Sequence, residues 1–439
     1  MASDLTETTL GDLLDGTGGS IKTGPFGTKL KAAEYTSTGA PVISVGEVGH
    51  GRLRVHEDTP RVDLSVTSRM PEYLLKAGDI VFGRKGAVER SAQVQPDEDG
   101  YFLGSDGIRI RLNCDACEPK FIAYQLQARA HRAWMLQHAA GTTMPSLNEG
   151  IIRRIPIRIR PLTEQKAIAH ILGTLDDKIE LNRRMNATLE AMARAMFQSW
   201  FVDFDPVRAK LDGRQPVGLD AATAGLFPAN FQDSAVGHIP KGWETGSILR
   251  QADLLSGGTP KTDIPTYWNG DVPWASAKDV SQCGDAFLVS TERTITKLGV
   301  EESSTKIIPA FATVVVARGA TTGRLTMFGH SMAMNQTCYG LRSKVGSPFA
   351  LYCNVRHFVE RLVQGGHGSI FDTITTSTFE ATAVLLAPKE VLLAFDQQVT
   401  PLFHQVRANL HQSRTLATLR DTLLPKLLGG ELDVRSQTL

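Results

Sequence analysis

The chain has 439 residues, 47 Lys and Arg against 46 Asp and Glu, a formal charge of +1, an apolar fraction of 42% and five cysteines. That length exceeds one ordinary core and predicts two or three domains, while no run of about 18 apolar residues is present to span a bilayer. The opening MASDLTETTLGDLL lacks the basic-then-apolar order of a signal peptide, so the cytoplasm is the expected location; scattered cysteines argue against a disulfide framework, and near-neutral charge means that any basic face is offset by acid elsewhere or helped by a partner.

Residues 1–160 read as a mixed domain of short strands. SIKTGPFGTKLKAAEY (20–35) is a glycine-bearing loop flanked by lysines, and GDIVFGRKGA (78–87) is a β-rich run ending in basic residues, Gly and Ala, as a strand entering a tight turn would. Cys114 and Cys117 form one C-x-x-C with no second pair or suitably spaced histidine, which favours a turn between two elements over a zinc site. A long helix follows over 161–204, with Thr163 as N-cap, Pro161 just outside and Glu164 in the first turn. It ends near Phe201, before Asp205-Pro206; about 38 residue steps make a rod of about 57 Å.

Residues 205–242 are rich in Pro and Gly and read as an ordered linker or a docked strap. The second mixed domain, 243–387, repeats the first: ATVVVARGA (312–320) matches the earlier strand and turn, Phe349-Ala-Leu-Tyr matches Phe121-Ile-Ala-Tyr, and Gly366-His-Gly-Ser matches Ala140-Gly-Thr-Thr. Tyr267, Trp268 and Trp274 read as core aromatics. A second long helix covers 388–430, where Pro425 is expected to kink or end the last turn before Gly429-Gly430, and 431–439 form a tail.

The two helices carry one ladder. Ile168, Leu175, Asn182, Leu189 and Met196 recur every seventh residue, with Leu172, Ile179 and Met192 between them. Phe395, Leu402, Asn409, Leu416 and Leu423 repeat it 227 residues later, with Val399, Val406 and Leu419 between. The match lapses at Met185, whose counterpart is Gln412. A single apolar ladder is ordinary core; two copies, each with Asn at the middle rung, predict an antiparallel coiled coil whose register is held by Asn182 and Asn409. Antiparallel pairing brings these amides close, although mixing of core positions within a layer leaves direct contact between them open. The fold class expected is α+β: two tandem mixed α/β domains separated by two long, paired helices.

Several chemistries lack their motifs. There is no G-x-x-x-x-G-K-[ST] phosphate loop, no G-x-G-x-x-G after a strand, no G-x-S-x-G elbow and no H-E-x-x-H helix. Asp205-Pro206 is followed by Val rather than the Pro-aromatic pair of amino-methyltransferases. A chain that binds and positions others fits these absences better than an enzyme.

Over essentially its whole length the sequence resembles the specificity subunits of type I restriction-modification systems. The resemblance rests on SIKTGPFGTKLKAAEY, on SGGTPKT (256–262) with TYWNGDVPW after it, on PLTEQKAIAHILGTLDDKIELNRRMNATLEAMARAMFQSWF (161–201), and on GLDAATAGLFPANF and GHIPKGWE. It implies a non-catalytic subunit in which two target-recognition domains each read half of a split, asymmetric sequence in double-stranded DNA, the paired helices setting the gap. It also implies two modification (methyltransferase) subunits bringing S-adenosylmethionine, and restriction subunits with ATP- and Mg-dependent translocase and nuclease activity. Reading heads on successive faces of B-DNA lie about 34–36 Å apart, within reach of domains flanking such a rod. The alternative is a two-domain coiled-coil scaffold that binds proteins with no sequence preference in DNA; a single-chain restriction and modification enzyme would need a much longer chain.

Base reading needs side chains that reach base edges, and phosphate contacts fix position. In the first domain the candidates are Lys22, Thr23, Gly24, Phe26, Gly27 and Lys29 in the glycine-bearing loop, Arg84 and Lys85 on the strand-end turn, and Thr142, Thr143 and Ser146 before the helix. Their counterparts are Gly258, Thr259, Lys261 and Thr262, then Arg318, Thr321, Thr322 and Arg324, then His367 and Ser369. Asn335 and Gln336 suit the bidentate contact that amides make to adenine. The blander readings are a plain turn for each loop, solvated arginines, a buried turn satisfied by Asn335-Gln336, and surface or packed roles for His138 and His367. No metal site is expected.

Overall fold

In the computed structural model, residues 6–26, 29–141, 143–234, 237–365, 373–432 and 434 are described. They divide into two compact units, residues 1–178 with 416–439 and residues 179–415. Among the described residues no helix is long and apolar enough to cross a membrane.

In the first unit, Ser20–Thr23, Gly107–Arg111, Ile80–Gly83 and Ser91–Gln93 form a four-stranded antiparallel sheet in that order. Alternation along the strands sends Ile80, Phe82, Ile108 and Ile110 into a core shared with helix Pro119–Gln127, while Val81 and Ala92 enter a second core on the other face. That second core is roofed by the sheet Tyr35–Thr36, Arg61–Val62, Ala40–Ile43 and Phe102–Leu103, whose last pair is parallel. Cys117 is buried with its thiol on the Asn113 carbonyl and Cys114 is exposed, both in the turn between strand and helix. Among the described residues no His, Cys, Asp and Glu cluster could hold a metal.

The first long helix, Leu162–Phe201, and the second, Lys389–Gly429, pack antiparallel. In the first unit Ile168, Ala169 and Leu172 meet Leu424 and Leu427. The Asp176 carboxylate accepts from the Tyr124 hydroxyl at 2.6 Å and the Arg420 guanidinium at 2.7 Å, tying a domain helix to both long helices. The first helix begins at Leu162, so Thr163 lies inside it rather than at its cap; the Glu164 and Gln165 amides donate to the Pro161 carbonyl instead. Pro425 does not end the second helix, which continues to Gly429. This proline is exposed, so water can serve the carbonyl its ring leaves without a donor.

The second unit holds the sheet Ala252–Ser256, Cys338–Ser343, Thr313–Val316, Leu325–Phe328 and Phe287–Leu288, and a four-stranded sheet Arg293–Ile295, Trp268–Ala275, Met332–Met334 and Ile307–Ile308. Tyr267, Trp268 and Trp274 are buried, as core aromatics should be. Here Ala193, Phe197 and Trp200 of the first long helix meet Phe395, Val399 and Phe403 of the second. Val207, Phe227, Ile239 and Trp243 join the same core, so residues 205–242 are a docked strap built of two short helices and a hairpin.

The seam departs from the expected ladder at one equivalent rung in both copies. Met192 is 50% exposed and Leu419 44%, whereas Phe197 and Trp200, and their counterparts Leu424 and Leu427, are buried. A straight helix drifts about 20° per heptad, which carries the seventh-residue repeat off the contact face.

Asn182 and Asn409 are both buried near the crossing. Asn182 Nδ2 donates to Gln412 Oε1 at 2.8 Å, to Ser413 Oγ at 3.2 Å and to the Asn409 carbonyl at 3.4 Å. Asn409 Nδ2 donates to Asn186 Oδ1 at 2.8 Å and its Oδ1 accepts from Gln405 at 2.7 Å. The amide side chains therefore meet partners one turn along rather than each other, because the two core positions mix within a layer. Asn186 and Ser413 are themselves 227 residues apart, so the contacts share the pseudo-twofold of the ladder. Asn409→Ala leaves the buried Asn186 acceptor unpaired and should cost about 1–3 kcal/mol. The paired replacement Asn186→Leu with Asn409→Leu should cost much less, which urea midpoints of the three proteins will compare.

Asp396 caps helix Pro348–Gly365 from the second long helix, accepting from the Phe349 and Ala350 amides at 3.2 and 2.7 Å. Burial nevertheless pushes its carboxyl from 3.8 up to about 7, against the pull of those two amides. The folded state then binds a proton that the unfolded state has released, so this group's stabilising contribution is full below about pH 4 and is lost as pH rises towards 7. Asp396→Asn should flatten that part of the stability profile, read as urea midpoints between pH 4 and 8.

Candidate nucleic-acid interface

In the first unit the separate sequence candidates converge on one end of the central sheet. Gly24 packs directly on the turn after strand Phe102–Leu103: a Cβ there would stand 1.8 Å from the Gly104 carbonyl oxygen, so only glycine fits. The Arg84 guanidinium donates to the Ser105 carbonyl at 3.2 Å and lies 4.4 Å from the centre of the Phe26 ring, which is 54% exposed. The segment before the helix closes the cluster, with Gly86 N donating to Pro145 O, Leu147 N to Arg84 O, and Lys85 bridged to Ser146. Lys22 and Lys29 extend over the buried Tyr73 ring at 5.1 and 6.0 Å.

Three candidates there have work inside the protein. Thr23 donates from its hydroxyl to Glu149 at 2.7 Å and from its amide at 3.0 Å, while Ser146 donates to the Ala140 carbonyl at 3.1 Å. Lys85 pairs with Asp106 at 3.6 Å. Thr143 is exposed. Gly27 and Thr142 lie outside the described residues.

The second unit repeats the plan with other side chains. Gly257 and Gly258 thread between Asn335 and Ser304, where any Cβ would meet backbone within 2.6 Å. The Trp274 and Trp268 indoles donate to the Gly258 and Lys261 carbonyls, both at 3.0 Å, which holds the loop from beneath. Thr259 donates its hydroxyl to Gln336, whose side chain is exposed; Lys261 and Thr262 are exposed beside it. Asn335 instead accepts from the Thr337 hydroxyl and amide, at 2.8 and 3.3 Å, so its carboxamide oxygen closes the local turn. Ala317 N donates to Thr337 O, and Arg318 bridges to Thr373, so this basic turn also touches the segment that leads to the long helix. Arg318, Thr321 and Arg324 are exposed, and the Thr322 hydroxyl donates to Gly319 O. His367 and Ser369 lie outside the described residues. His138 is packed, stacked on Trp134 with ring centres 3.9 Å apart.

A surface of this kind offers glycine backbone that a phosphate can approach, cations at fixed places, and a few amides, hydroxyls and guanidinium forks at base-contact height. A family model described as type I restriction modification DNA specificity domain matches residues 3–191 and 240–417, one stretch for each repeat. The chain belongs to that family. It is 27% identical over 405 residues to the HindI specificity subunit of Haemophilus influenzae, covering 82% of this chain and 87% of that one. It is 22% identical over 343 residues to the MjaIX specificity subunit of Methanocaldococcus jannaschii, covering 75% and 73%. The crystal structure of a type I restriction-modification S subunit from M. genitalium has the same fold, with a TM-score of 0.56 at 14% identity over 97% of this chain and 96% of that one.

As a pair of DNA specificity domains, the units can be compared position by position, and two groups absent from the sequence reading stand out. Ser105-Asp106 leads into strand Gly107–Arg111 just as Asn335–Thr337 leads into Cys338–Ser343, so it is the first domain's counterpart of the amide pair. LGSDG and AMNQT differ too much to align by eye, but the hydrophobic run after each would have located them. The second is Arg293, on a strand with no glycine-rich or repeated signal around it.

Proposed function

We propose that this chain selects the DNA sequence for a type I restriction-modification complex, each unit reading one half of a split, asymmetric double-stranded target, and that it has no catalysis of its own. One observation carries the reading: in each repeat of a DNA specificity family, the glycine loop, the basic turn and the segment before the long helix meet in a single cluster. Adenine methylation would be the work of two modification subunits bringing S-adenosylmethionine; cleavage would be that of restriction subunits using ATP and Mg. The equivalent exposed side chains Met192 and Leu419 suit two copies of one partner, since like positions on a pseudo-symmetric pair of helices present like surfaces. Membership of a DNA specificity family does not favour the scaffold alternative.

The test is to co-express the chain with its modification subunit and map methylated adenines across the host DNA by single-molecule sequencing. A split motif with an unread spacer is the expected result, together with DNA binding that weakens steeply with salt. A continuous motif, or binding indifferent to both sequence and salt, overturns the reading.

A further inference from the structure

Arg293 lies flat against a ring that already has a second task. Its guanidinium carbon is 3.5 Å from the centre of the Trp268 ring and 5.8 Å from that of Trp274, which stands edge-on to Trp268 at 84°. Both indoles are buried and both are fixed by hydrogen bonds to the Gly258–Lys261 loop, so the platform cannot turn. Strand pairing sets Arg293 opposite Trp274. The side chain is exposed, and among the described residues its guanidinium donates to no protein acceptor and forms no ion pair. The neighbouring carboxylate, Glu292, is taken by Lys278 at 2.7 Å. Other arginines of this unit are occupied, as Arg342 is with Asp253 and Arg407 and Arg414 are with backbone carbonyls.

We propose that Arg293, clamped on Trp268 beside the glycine loop, reads a guanine in the half-site taken by the second unit, presenting the edge of its guanidinium to O6 and N7. Stacking holds the plane of the group while leaving its in-plane N–H donors free, and bidentate guanine recognition needs that fixed fork. A phosphate contact needs only a positive point charge, which a mobile lysine supplies, so immobilising an arginine on a buried tryptophan serves base reading better than backbone attraction. The inference rests on the DNA-recognition reading given above.

Arg293→Lys keeps the charge and its attraction to the ring but removes the fork, and Arg293→Gln keeps a planar head without the charge. Each variant is co-expressed with the modification subunit and its methylated motif is mapped beside that of the parent chain, with tryptophan fluorescence confirming that the platform is intact. The expected result is that one position in one half-motif ceases to require guanine, discrimination there falling roughly 5- to 150-fold, while the other half-motif is unchanged. An unchanged motif with uniformly weaker binding and a shallower salt dependence makes Arg293 a phosphate contact and overturns the proposal; so does an unchanged motif with unchanged affinity. If the parent chain directs no split methylation at all, the underlying functional reading falls, and this inference with it.

Discussion

Exchanging residues 10–155 for the corresponding stretch of a relative with a different target should replace one half of the methylated motif and leave the other half as it was. The physical ground is that the first unit's recognition cluster is assembled wholly within that stretch: Gly24 packs on Gly104, Arg84 on Phe26 and Ser105, and Lys85 on Ser146. The second unit draws its own from residues 257–373. Each half of the specificity should therefore change completely or not at all. The donor stretch has to preserve the contacts the domain makes with the long helices, above all the Tyr124 hydroxyl on Asp176 and the Glu118 amide on Gln165 at 2.9 Å. Mapping the motif of the hybrid decides the matter, and changes in both halves would show that the two clusters do not read independently.

Asp176→Ala should destabilise the first unit by about 2–4 kcal/mol, a large fraction of what holds a domain together. Asp176 is the one acceptor for two groups: the buried Tyr124 hydroxyl, which burial and the adjacent carboxylate together hold far above its ordinary ionisation range, and Arg420, whose guanidinium is only 26% exposed. Removing the carboxylate strands both. Arg420→Ala should cost less, because Tyr124 keeps its partner and the freed carboxylate lies near enough to water to be partly solvated. Chemical unfolding followed by hydrogen exchange will separate them: the first variant should lose protection in the first unit specifically, and equal losses for the two would mean that Tyr124 contributes nothing.

The sequence alone was enough for the duplicated plan. A ladder repeated 227 residues apart is a local, periodic signal, and a polar residue at the midpoint of each copy marks where antiparallel helices cross. The glycines at 24 and 258, and the basic turns at 84 and 318, were legible for a similar reason, since backbone crowding and strand ends leave a mark on the residues themselves. What tertiary structure decided were the partners. Met192 and Leu419 fit the ladder yet face outward, because helical drift over several heptads depends on the real pitch and not on the spacing of letters. Thr23 looks like a contact residue until Glu149, 126 positions away, claims its hydroxyl. Gln412, where the ladder lapses, supplies the acceptor that Asn182 needs. Arg293 has no sequence signal at all: its fixed plane comes from a tryptophan that another loop holds still, and a side chain's freedom is set by such distant neighbours rather than by its own chemistry.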